Sequence, residues 1–489
     1  MTSARFKENI GFLALDIIAG GLVIWTYVIQ KDDLEQAINL IRIAVYLSWF
    51  TNIFYALKDV VQRFAFMLFN VAFFILLLGR TAFFMFSDRL NYNWGFENIY
   101  MDSVYATFVM MYISLTAMLL GFMITKENKS QTFSLSKNVN KSNVANPEKL
   151  NEYRKIAIWI YYLAMPFAYA IIFEKYTYIS THSYVNYYLE YKTNMPVFIV
   201  ALSNMCTIAF CAYLATYPEK TKCKLHIMSF AIMTGVSLLT GGRADFVKAF
   251  LLLLAYFFLR EATGEEKWID KKMVITMSIA VPLLVVGTVA TATIRLGEAY
   301  SFESIGDSFL SFFLSNGVSA KVVAFSVELK ETVTGVKFYS LYSITDLFRN
   351  NKLIQFIHPF QIYYSGTVEK ALQSNSYASF VSFSKIYDAY FRGNGLGTSY
   401  LAELYMDFGY IGVALGSILI GFSLKSITRA LVKEKRFVPS WIYIMMLRQL
   451  IYIPRDCFSS YIVAAFNVTS ILTILIILLG TKVLYRHKK

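Results

Sequence analysis

Histidine and cysteine are scarce in this chain, with four of each among 489 residues. Cys206, Cys211, Cys223 and Cys457 form neither a Cys-x-x-Cys pair nor a Cys/His ligand set. That excludes a zinc module or thiol redox motif and predicts buried free thiols. Charge is scarce as well, at 16% of residues where soluble domains carry about 25%. There is no Walker loop, no His-Glu-x-x-His, no Gly-x-Ser-x-Gly elbow and no Asp-x-Asp pair. No metal and no cofactor are expected.

Apolar residues dominate instead, at 57% of the chain. They cluster in runs of roughly 17 to 25 residues, the length that crosses the hydrocarbon core of a bilayer. Such runs must be helical, because lipid offers no partners for free backbone groups and the alternation of a barrel is missing. Membrane helices are expected near 10–29, 37–57, 64–86, 103–124, 156–174, 196–216, 226–240, 244–260, 273–294, 398–424, 440–454 and 457–484. The first run is followed by Asp32 and Asp33 without a small-residue cleavage site, so it is expected to remain as a helix.

The net charge of +14 is spread over short loops, which argues against a nucleic-acid partner. One alternating set of loops is rich in Lys and Arg, with seven in 125–155 and five in 425–439. The short loops of the other set hold only Lys31, Arg89, Lys175, Lys192, Arg243 and Arg455. The positive-inside rule then predicts an all-α polytopic membrane protein of about twelve helices with both termini cytoplasmic. Five regions follow: membrane helices in 1–124, a polar linker in 125–155, membrane helices in 156–294, a large extracytoplasmic loop in 295–397, and membrane helices in 398–489. The loop contains amphipathic stretches, expected as short helices on the membrane surface.

Several charged groups fall at the outer ends of these helices. Arg243 stands in Thr240-Gly241-Gly242-Arg243-Ala244-Asp245, after a run of about fifteen residues read as a short helix. Glycines, a helix start and an Arg fork suit a pyrophosphate; the alternative is a tight turn in which Arg243 pairs with Asp245. Arg295 ends the ninth helix beside Glu298, and Arg455-Asp456 follows another short helix. Arg80 is embedded near the end of the third, whereas Arg448, deeper, reads as structural. Arg392, Gly395 and Gly397 precede the tenth helix, whose first turns carry Glu403 and Asp407 on one face. Those two acids suit counter-ions to the arginines or ligands for a sugar hydroxyl. His358 is the one histidine of the large loop and, with Glu298, a candidate general base. The cytoplasmic loops are too small for a nucleotide-using domain, so the energy for any reaction would come from a lipid-linked substrate.

At these residues the chain resembles the Wzy family of O-antigen and capsular polysaccharide polymerases. The resemblance is carried by 240–245, by Ala292-Thr293-Ile294-Arg295-Leu296-Gly297-Glu298, by Ser315-Asn316-Gly317-Val318-Ser319, and by the run from Gly395 to Gly412. Arg455-Asp456 is similar to an Arg-Gly-Asp near the family's C-terminal end, with the glycine missing here. The resemblance implies a GT-C-like fold of the O-antigen ligase and polymerase type, in the bacterial cytoplasmic membrane. It also implies a metal-independent, inverting glycosyltransferase facing the extracytoplasmic side, which moves a nascent glycan from undecaprenyl pyrophosphate to a new lipid-linked repeat unit. Partners would be undecaprenyl-pyrophosphate-linked oligosaccharides, membrane lipids, a flippase and a chain-length regulator. A glycan ligase or a flippase is the competing expectation. The absence of related halves and the large outer loop speak against a flippase.

Overall fold

The computed structural model describes residues 3–84, 93–124, 147–182, 187, 190–295, 305–350 and 352–486. Among them every regular element is helical. The first membrane group is α1 (Ser3–Ile29), α2 (Leu34–Leu57), α3 (Phe64–Phe73) and α4 (Met101–Ile124). Asp33 opens α2 by accepting from the Gln36 amide at 2.9 Å, the side-chain cap expected before a helix start. α3 runs on through a π-turn (Phe74–Leu78) into a last turn, Gly79–Ala82, which carries Arg80. π-turns are rare and concentrate at functional sites, and this one was not expected from the sequence.

The second group is α5 (Pro147–His182), α6 (Val197–Leu214), α7 (Lys220–Val236), α8 (Ala244–Ala262) and α9 (Lys271–Arg295). α5 has 36 residues, about 54 Å of helix, and so outruns a bilayer. Its first turns fall in the stretch expected to be linker: Glu152 and Tyr153 are buried there, and Tyr153 stacks on Phe437 at 4.2 Å. The rest of that linker, 125–146, lies outside the described residues.

α7 departs from the expected short helix. It starts at Lys220 and continues through a 3₁₀ turn to Thr240, giving 21 apolar-enough residues. The charges at Lys220, Lys222 and Lys224 do not delay the helix, because long lysine stems reach water from its first turns. A short seventh helix therefore does not account for the depth of Arg243.

In the large loop, α10 (Ile305–Asn316) and α11 (Ser319–Leu329) are separated at Gly317-Val318. α11 packs against other helices of the bundle. Ala320, Val322, Val323 and Ala324 are fully buried, with α11 packed on α4. Small residues on this face permit the close approach. The remaining loop forms α12 (Tyr342–Arg349), α13 (Lys352–Ile357), α14 (Val368–Gln373), α15 (Tyr377–Lys385) and α16 (Tyr387–Phe391).

The chain ends with α17 (Tyr400–Arg429), α18 (Phe437–Leu450), α19 (Ser460–Phe466) and α20 (Val468–Arg486). α18 is short, as expected, whereas the final run is two helices broken at Asn467. α17 crosses α4 at very close range. A Cβ on Gly421 would overlap the Met118 carbonyl oxygen, and one on Gly121 would overlap that of Ile418. Ser114 Oγ bonds Tyr400 Oη at 2.6 Å and Ser417 Oγ at 2.8 Å across the same crossing. Membrane helices associate through small residues and such hydroxyls, since lipid supplies no hydrophobic drive between them.

Ten segments among the described residues are long and apolar enough to cross a membrane. They include Gly306–Thr332, inside the large loop, but not α8, α9 or α18. α8 carries Asp245, Lys248, Arg260 and Glu261, and α18 has only 14 residues. The chain is thus an all-helical integral membrane protein.

Candidate active site

Arg80 is held by three partners on two separate pieces of chain. Its Nε donates to the Gly95 carbonyl at 2.8 Å, its Nη1 to the Leu314 carbonyl at 2.9 Å, and its Nη2 to Glu97 Oε1 at 2.7 Å. Lys321 closes on the same Glu97 carboxylate. The expected substrate ligand is therefore a staple between α3, the segment before α4, and α10. Gly317 sits against Arg80 so closely that a Cβ there would overlap the Arg80 side chain. Glu97 lies 224 residues from Lys321, and no local pattern in the sequence announces their pairing.

Burial raises the Glu97 pKa, but Lys321 and Arg80 outweigh it and hold the carboxyl below its ordinary value. A carboxylate depressed in the folded state stabilises that state above the unfolded pKa, here about 4.5, and stops doing so as pH falls through the folded one. Glu97→Gln should therefore lower the melting temperature at neutral pH. The gap to wild type should narrow as pH falls below about 4.5 and the Glu97 carboxylate is protonated. A gap of constant size in heating curves above and below that pH would assign the effect to packing alone.

A second cluster forms where the start of α8 meets the end of α18 and the turn after it. Gly241 is left-handed at φ 71°, and Arg243 caps α8. Asp245 pairs with Arg448 at 3.3 Å. Arg448, read from sequence as a deep structural residue, is thus brought to the helix start. Arg455 ends a 3₁₀ turn, Ile453–Arg455, and reaches Asn316 through two long contacts of 3.4 Å, to its carbonyl and to its Oδ1. Asn316 and Leu314 belong to one segment, so the end of α10 touches both Arg455 and Arg80. Asp456 pairs with Lys248 at 3.1 Å and accepts the Cys457 amide at 2.8 Å. Gln449 also donates to Asp456. Sequence reasoning missed Lys248, although it lies three residues from Asp245 on one helical face.

Glu403 and Asp407 are spent on backbone rather than on arginines. Buried Glu403 accepts the Phe458 amide at 2.9 Å and the Thr398 hydroxyl at 2.8 Å. Asp407 accepts the amides of Tyr339 and Ser340, at 2.8 and 2.9 Å. Each ties α17 to a neighbouring segment, Glu403 to the loop after Arg455 and Asp407 to the loop before α12. Neither has a described cationic partner; the contacts they make are to backbone amides and the Thr398 hydroxyl. Gly395 lies beside Ser382, whose hydroxyl takes the Leu396 amide at 3.0 Å, and Gly397 adopts φ 80°. Arg392 is exposed.

His358 is exposed and packs edge-on to Phe360 at 4.6 Å. No described contact joins it to the arginines. Arg295 is the last residue of α9, and Glu298 lies outside the described residues.

A family model of O-antigen polysaccharide polymerase Wzy matches residues 11–488, nearly the whole chain. The chain belongs to this family. Comparison with curated proteins and with solved structures finds no match. Wzy membership makes the chain a glycosyltransferase-type polymerase of O-antigen repeat units, working in a membrane on lipid-linked oligosaccharides. The Ser315-Asn316-Gly317 stretch quoted for the resemblance is the point where α10 meets Arg80 and Arg455.

Proposed function

We propose that the junction of α8, α18 and α10 binds the diphosphate of an undecaprenyl-pyrophosphate-linked glycan on the extracytoplasmic face. The nascent chain leaves this carrier for the non-reducing end of a new repeat unit on a second carrier. The acceptor hydroxyl attacks the anomeric carbon, its proton passes to a base, and the bond to the diphosphate oxygen breaks with inversion. Negative charge then grows on the diphosphate. Cations already in place stabilise it without reorganisation, so no metal is required. Arg455 carries this reading: a guanidinium at the junction whose described hydrogen bonds are only two long ones to Asn316. Arg243, at the start of α8, and Arg295, at the end of α9, would complete the cation set. Glu298 and His358 remain the candidate bases. The large loop covers the acceptor and keeps water from the reactive carbon.

The test is elongation by purified protein in lipid nanodiscs, supplied only with undecaprenyl-pyrophosphate-linked repeat units. Wild type should give a ladder of longer lipid-linked chains and free undecaprenyl pyrophosphate, with chelator present and no ion gradient. Transfer of repeats only to a different acceptor would make it a ligase, and movement of unlengthened units across the bilayer would make it a flippase.

A further inference from the structure

The ion pair between Lys248 and Asp456 is built so that Lys248 can leave it. Asp456 keeps two other donors, the Cys457 amide on Oδ1 and the Gln449 side chain on Oδ2. Lys248 has a single carboxylate oxygen at 3.1 Å and the face of Tyr452, 4.8 Å from its ammonium. Its side chain is 13% exposed, so most of it is screened from bulk water. A permanent lock between helices is better served by a bidentate guanidinium, whereas lysine is a mobile point charge on a flexible stem.

The surroundings favour an anion. Lys248, Arg448 and Arg455 lie there with Asp245 and Asp456, so positive charge is in excess among these described groups. Arg448 Nε, shielded from solvent, has no hydrogen-bond partner among the described residues.

We propose that Lys248 is a diphosphate ligand, and that Asp456 is its resting counter-ion rather than a substrate contact. When the lipid diphosphate enters, the Lys248 ammonium exchanges the Asp456 oxygen for a phosphate oxygen. Asp456 stays in place on Cys457 and Gln449. This inference rests on the diphosphate reading of the junction above.

Binding of undecaprenyl pyrophosphate to detergent-purified full-length protein tests it, with undecaprenyl phosphate as the ligand lacking one phosphate. Lys248→Met should weaken undecaprenyl pyrophosphate about tenfold or more, and undecaprenyl phosphate much less. Lys248→Arg should recover most of the loss. Asp456→Asn should bind as tightly as wild type or tighter, because Lys248 is freed. If Lys248→Met fails to fold, the double variant Lys248→Met/Asp456→Val replaces the pair with apolar side chains and carries the comparison. Unchanged affinity in Lys248→Met or in the double variant, with Arg455→Ala impaired, would overturn the role of Lys248 and leave the diphosphate site standing. If wild type does not bind undecaprenyl pyrophosphate, the diphosphate reading itself fails.

Discussion

Arg455→Ala should cut the rate of repeat addition about 10²–10³-fold while leaving the folded protein in the membrane. The two halves of that expectation come from different observations. The size is that of removing one preorganised donor from a developing oxyanion, about 3–4 kcal/mol. The sparing of the fold follows from the long contacts to Asn316, which hold Arg455 weakly. Arg80→Ala makes the contrast. Arg80 is committed to Gly95, Leu314 and Glu97, so its loss strands two carbonyls and leaves Glu97 with Lys321 alone. Its main effect should be on melting temperature. Elongation assays and heating curves on the same two variants check both halves. A slow, stable Arg80→Ala beside a fast or unfolded Arg455→Ala would reverse the assignment.

Gly421→Val should leave little folded protein, whatever its chemistry. The α4–α17 crossing brings backbone against backbone, and any Cβ on Gly421 overlaps the Met118 carbonyl. A flexible side chain can move aside; a carbonyl in the middle of a helix cannot do so without parting the helices. The cost should lie at or above the upper end of ordinary overpacking, about 3 kcal/mol. Separation also breaks the Ser114–Tyr400 and Ser114–Ser417 hydrogen bonds. Gly21→Ala is the control, since nothing lies within 4 Å of a Cβ there. It should be neutral or slightly stabilising. Size-exclusion profiles in detergent distinguish the two, and a monodisperse Gly421→Val with wild-type melting temperature would show that the crossing yields.

The two sites differ in how they are written in the sequence. Arg80 and Arg455 are conspicuous because a charge beside a long apolar run is costly wherever it falls. Their partners are not conspicuous. Glu97 looks like one more acid in a polar loop, and Leu314 and Asn316 offer backbone oxygens that no composition reveals. Glu403 and Asp407 mislead for the same reason. Carboxylates one helical turn apart suggest paired cations, yet both are taken by amides of distant loops. The π-turn before Arg80 has no pattern either, because it depends on how α3 is packed.

The sequence by itself determined that the chain is a helical membrane protein, which residues carry its buried charge, and the family to which it belongs. Those properties are sums over neighbouring residues: transfer free energy along a run, and the alternation of basic loops. Tertiary structure alone decided that α7 is of ordinary length, that α11 buries one face against α4, and which charge faces which. Those outcomes rest on groups up to 234 residues apart competing for a few donors and acceptors in a medium without water. There a pairing is set by which helices can approach, not by which charges lie close along the chain.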